Sequence, residues 1–140
     1  GDVLLSHKGT IGRAATLKTQ HEYVMLTPQV TYYRVLDASR LIPEYLYFAF
    51  QSAPFQRQIT SMAKDGATRA YIGITRQLQL SVSIPDIETQ NDLVELFRQA
   101  EAITPRLVAD YDSKVADLDK LRQSLLQKAF AGELTTKEFA

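Results

Sequence analysis

The residues of this chain best suited to chemistry fall in two short stretches. Ser6-His7-Lys8-Gly9-Thr10, followed by Arg13, combines cations and hydroxyls with glycines that let a ligand approach the backbone closely. Lys64 to Tyr71 has a similar make-up, with Lys64, Thr68, Arg69 and Tyr71 around Gly66. Lys and Arg can pair with phosphates or guanine edges, and Thr and Tyr hydroxyls can contact phosphate oxygens. Lys8, Arg13, Lys64 and Arg69 are therefore the candidate nucleic-acid contacts, with Thr68 and Tyr71 as polar helpers. On composition alone each stretch also reads as an ordinary surface loop.

No catalytic set accompanies them. His7 and His21 have no carboxylate or cysteine at metal-ligand spacing, and a lone surface histidine is usually solvated. Gly9-Thr10-Ile11-Gly12-Arg13 lacks the Gly-x-x-x-x-Gly-Lys-Ser/Thr pattern and any following helix, so it reads as a tight turn between strands. A Gly-x-Ser-x-Gly elbow is absent. With no cysteine there is no disulfide, thiolate zinc site or thiol nucleophile, a composition that suits a reducing cytosol. The chain is expected to be non-catalytic, with no cofactor or metal of its own.

The elements that must position the two stretches are mixed strand and helix. Val3-Leu4-Leu5 reads as a short buried strand, and Ala14 to Leu17 and Tyr23 to Leu26 as further strands, with Gly9 and Gly12 supplying the first turn. Gln29 to Leu36 is rich in Val, Thr and Tyr, which favour a pleated surface. Pro43 opens a helix carrying Tyr45, Leu46, Tyr47, Phe48 and Phe50, read as core rather than as a base-stacking platform. A second short helix follows Pro54, with Phe55 and Ile59 on one face. Lys64 to Ala70 is a polar loop. Leu80, Val82 and Ile84 alternate with polar residues at the strand period, and Pro85 ends that run.

From about Thr89 to about Ala131 the period is helical. Apolar residues recur every three or four positions through Leu93, Ala100, Ile103, Leu107, Tyr111, Val115, Leu118, Leu121, Leu125 and Ala129. Pro105 implies either a kink or a new helix capped by Thr104, and Gly132 a C-terminal stop. A helix of about 40 residues is about 60 Å long, more than one small domain can cover. Its stripe needs a partner helix, and Leu107, Tyr111, Val115, Leu118, Leu121 and Leu125 are the candidate pairing residues. A hairpin folding back at Pro105 is disfavoured by the shortness of its linker. Leu134 to Ala140 reads as a loose tail.

The fold class expected is α+β: a partial mixed domain over residues 1–86, a long helix pairing as an antiparallel coiled coil over 87–134, and a tail over 135–140. At 140 residues the chain can bury one real core. It contains neither a signal peptide nor an apolar run long enough for a membrane span, so a cytoplasmic location without membrane contact is expected. It does not begin with Met and enters an apolar run directly, which reads as a piece of a longer protein. The zero net charge is split. Through Pro85, nine lysines and arginines stand against five acids, a balance of +4. From Asp86 onward seven basic residues face eleven acids, a balance of −4. Such a division suits a phosphate-facing globular part and a protein-facing helix, although a difference this small also arises by chance.

The order and spacing of several motifs resemble one family. Gly1-Asp2-Val3-Leu4-Leu5-Ser6 with Gly9-Thr10-Ile11-Gly12-Arg13-Ala14 resembles the second half of a target-recognition domain in the specificity subunits of type I restriction-modification systems. Pro43-Glu44-Tyr45-Leu46-Tyr47 resembles that family's Pro-x-Tyr-Leu-Tyr helix. Ile84-Pro85 with Glu88-Thr89-Gln90 looks like its entry into the long helix, although the usual pattern has Pro-Pro and adjacent Glu-Gln. Leu118 to Leu134, ending in Ala-Phe-Ala-Gly-Glu-Leu, resembles the family's helix terminus and is the most specific segment.

The resemblance covers essentially the whole chain and implies a division of labour. Such a subunit carries two recognition domains that each read half of a split double-stranded DNA site, while two long antiparallel helices set the gap as a ruler. Methyltransferase subunits dock on this scaffold and methylate adenine with S-adenosylmethionine, and motor-nuclease subunits translocate and cleave. This chain has no Asn/Asp-Pro-Pro-Tyr motif, in keeping with the specificity role. The resemblance also implies that the first half of the recognition domain lies outside this sequence. The helix partner would be the second helix of the same subunit or a homodimer mate. Two other readings stay open: a coiled-coil interaction module without DNA binding, and an enzyme half-domain whose catalytic residues lie elsewhere.

Overall fold

The computed structural model describes residues 1–18, 22–63 and 70–134. Chain order is β1 (Val3–Ser6), β2 (Ala14–Thr16), β3 (Val30–Tyr33), α1 (Pro43–Gln51), α2 (Ala53–Met62), α3 (Ile74–Gln77) and α4 (Ile87–Phe130). The chain divides into two compact units, Gly1–Phe97 and Arg98–Ala140. A three-stranded antiparallel sheet and a long C-terminal helix make the class α+β.

In the first unit β1 is the middle strand, with order β2-β1-β3 and Val3 opposite both Thr16 and Tyr33. Period-2 alternation sends Val3 and Leu5 into the core, where they meet Leu46, Phe50, Phe55, Ile59 and Ile72. Phe50 stacks on Phe55 at 4.5 Å and meets the edge of Tyr33 at 5.0 Å. Pro43 at the start of α1 needs no N–H partner. The α1 aromatics are core, as their helical spacing predicts: Tyr45 and Phe48 pack with Val94 from the first turns of α4.

Two predicted strands are absent. Tyr23 to Leu26 forms no strand, because both edges of β1 are already taken by β2 and β3, and Tyr23 and Met25 are almost fully exposed. Leu80 to Ile84 keeps the alternation but joins no sheet: Leu80 and Val82 pack on the core, while the amide of Gln58 takes the place of a neighbouring strand. Its Nε2 donates to the Ser81 carbonyl (2.9 Å) and its Oε1 accepts from the Ser81 N–H (3.0 Å).

The long helix begins two residues before Thr89. Asp86 caps it: one carboxylate oxygen accepts from the Thr89 N–H and the other from its hydroxyl, both at 2.9 Å. Those bonds hold the Asp86 carboxyl below its ordinary pKa. One turn on, Gln90 is wholly buried. Its Oε1 accepts from Ile42 N–H (2.9 Å), and its Nε2 donates to the carbonyls of Arg40 (2.9 Å) and Pro85 (2.8 Å). One side chain thus fastens the helix start to the approach to α1.

In the second unit the backbone stays helical through Pro105, so neither a new helix nor a hairpin begins there. The Thr104 hydroxyl donates back to the Ala100 carbonyl (2.7 Å) in the turn that the proline interrupts. Gly132, at φ +78°, ends the helix: Glu133 N–H donates to Lys128 (2.9 Å) and Gly132 N–H to Ala129 (3.1 Å), a Schellman termination. No helix among the described residues is long and apolar enough to cross a membrane.

Candidate nucleic-acid interface and helix face

The first candidate stretch forms the loop of the β1–β2 hairpin. Ser6 organises it: its hydroxyl donates to the Thr10 carbonyl (2.6 Å) and accepts from the Arg13 N–H (3.0 Å), while its backbone pairs with Arg13 and Gly12. Gly9 and Gly12 both turn through positive φ, at +82° and +81°. At Gly12 a methyl group would also lie 2.7 Å from Gln56 Oε1. The Gln56 amide cannot yield freely, because its Nε2 donates to the carbonyls of Gly12 (2.7 Å) and Phe50 (2.6 Å). Gly12→Ala is therefore expected to cost about 2 kcal/mol, read as a lower urea midpoint at unchanged slope; an unchanged midpoint would contradict this packing.

The end of the second stretch is brought against the first. Gly9 N–H donates to the Ala70 carbonyl and Ile72 N–H to the His7 carbonyl, both at 2.9 Å, pairing Lys8 with Tyr71 as an antiparallel bridge. His7 Nδ1 lies 2.8 Å from the Thr31 hydroxyl, and its ring meets that of Tyr71 edge-on at 6.0 Å. The Tyr71 ring thus packs on His7 and towards Gly73. A groove of about 610 Å³ opens beside the bridge, lined by Ser6, Lys8, Gly9, Thr10 and Arg13 on one side and by Gln29, Val30 and Ala70 on the other. Lys8 and Arg13 form no ion pair among the described residues. Arg34, by contrast, is spent on Asp2, with bonds of 2.7 and 2.6 Å that lower the Asp2 pKa. The other candidates, Lys64, Thr68 and Arg69, and the histidine at 21, lie outside the described residues.

Gln29 was not singled out by the sequence, although Thr27-Pro28-Gln29-Val30 carries a turn signal, proline in the second position. The turn closes through Val30 N–H to the Thr27 carbonyl (3.2 Å), and the Gln29 carbonyl accepts from His7 N–H (2.9 Å). Among the described residues, no group of three or more His, Cys, Asp or Glu could hold a metal ion. The arrangement suits binding of an anion or a polar edge rather than bond making.

On the second unit, Leu107, Tyr111, Val115, Leu118, Leu121 and Leu125 are each 47–65% exposed. Val108, Leu126 and Phe130, exposed as well, extend the apolar residues beyond that set. Towards the helix end Leu118, Leu121, Leu125, Leu126, Ala129 and Leu134 line a shallow hollow of about 450 Å³.

No family model matches the chain. It is 26% identical over 137 residues to the type I restriction enzyme EcoBI specificity subunit of Escherichia coli, and the match covers 97% of this chain. The chain spans 28% of the length of that relative.

Proposed function

We propose that this chain is part of a DNA-specificity subunit of a type I restriction-modification enzyme, itself non-catalytic. Residues 1–86 contact one half of a split double-stranded site, and the helix of residues 87–134 pairs with a second helix as an antiparallel coiled coil that sets the spacing. Methyltransferase subunits dock on this scaffold and supply the methylation chemistry; motor-nuclease subunits join through the complex in the cytoplasm. Lys8 and Arg13 bind phosphate, and Lys64, Thr68, Arg69 and Tyr71 contribute from the second stretch.

One observation carries this reading. Two stretches chosen separately for their cations and glycines meet at the Lys8–Tyr71 bridge, beside a groove into which two unpaired cations are set. The likeness to a specificity subunit supports it over nearly the whole chain. The test is binding of labelled duplex DNA across a salt series by the subunit assembled with its methyltransferase. Affinity should fall steeply as salt rises, because phosphate contacts release counterions.

The exposed apolar helix face favours a second reading, a pairing module without DNA binding. It predicts association that persists at high salt with no duplex bound. Both readings expect Leu118→Asp to abolish helix pairing in sedimentation while leaving the chain folded. Leu118 is 65% exposed, and burying a leucine of this kind in a partner is worth roughly 1.5–3 kcal/mol. Unchanged sedimentation would remove Leu118 from the pairing face.

A further inference from the structure

We infer that Gln29 reads a base edge, and that it selects adenine at one position of the site whose phosphates are held by Lys8 and Arg13. The inference deepens the proposed function and rests on it. Gln29 faces the hairpin loop across the groove, so a strand gripped by Lys8 and Arg13 would present its bases to the Gln29 wall. Its backbone is held at both ends, by the turn hydrogen bond to Thr27 and by the bond from His7. The side chain is therefore presented from a fixed platform at the start of β3.

Four other glutamines show what this chain does with an amide it needs for folding. Gln56, Gln58, Gln77 and Gln90 each bond to backbone carbonyls within the fold. Gln29 is exposed, and its side chain has no hydrogen-bond partner among the described residues. A free carboxamide has a donor and an acceptor side by side. That pattern matches adenine in the major groove, where N7 accepts and the N6 amino group donates. A carboxylate at the same place, acceptor only, matches the cytosine amino group instead.

The experiment selects bound sequences from a pool of random duplexes, using the subunit assembled with its methyltransferase. Wild type should enrich a split motif with adenine at the position Gln29 reads. Gln29→Ala should leave the rest of that motif intact and lower discrimination at that one position by about tenfold or more. Gln29→Glu should shift the preference there toward cytosine. If wild type enriches a motif and both variants enrich the same one, or if affinity falls alike for all sequences, Gln29 reads no base while the proposed function stands. If wild type enriches no motif, the proposed function itself fails and this inference with it.

Discussion

Gln90→Leu is expected to destabilise the globular unit by about 3–5 kcal/mol, a large part of the stability of a domain this size. Leucine matches the volume but bonds to nothing. It would leave the Ile42 N–H without its partner and take a donor from each of the Arg40 and Pro85 carbonyls. Gln90 is wholly buried, so water cannot take over those bonds in the native packing. Heat or urea unfolding reads the loss, at roughly 4–8 °C of melting temperature per kcal/mol. Gln79 is exposed and serves as the control, with a change of no more than about 0.5 kcal/mol expected for Gln79→Leu. Equal midpoints for the two variants would show that the amide does not fasten α4 to the approach to α1.

The second large effect concerns binding. Lys8→Ala combined with Arg13→Ala is expected to weaken duplex binding for all sequences alike and to reduce the slope of log affinity against log salt by about 2, close to one unit per phosphate released. The fold should survive, because neither side chain makes an ion pair among the described residues and the hairpin is held by Ser6 and the two glycines. An unchanged slope would mean that the groove does not lie on the phosphate path. A change confined to one base position would mean that a cation reads a base.

Elements governed by near neighbours in sequence were legible before the structure. The alternation at Val3 and Leu5, the proline at the head of α1 and the three-and-four spacing of the long helix are local signals, and each element is present. Gly132 was legible for the same reason, since a helix stop needs only its own last turn. What depended on distant partners was not. The bonds of Gln90 reach residues 48 and 50 positions away, which no spacing rule reveals. The residues of α3 show no apolar stripe, Ile74 and Leu78 both being exposed, and its place is fixed by buried Gln77, which accepts from the Tyr33 hydroxyl at 3.2 Å. Leu80 to Ile84 had the period of a strand, but the period carries no information on whether a partner strand exists.

The candidate interface was legible in part. Residue type alone pointed to Lys8 and Arg13, because cations among glycines suit phosphate. Their meeting with the end of the second stretch was not legible, since the Lys8–Tyr71 bridge joins residues far apart in the chain. Gln29 enters the groove through the same long-range pairing, its carbonyl bound to His7.

The central claim, a DNA-specificity role, is tested most directly by mapping adenine methylation across the genome of cells with and without the gene that encodes this chain. The account predicts that a split methylated motif disappears on deletion, with a gap set by the helical spacer. An unchanged methylation pattern in cells that still express the methyltransferase subunits would contradict it.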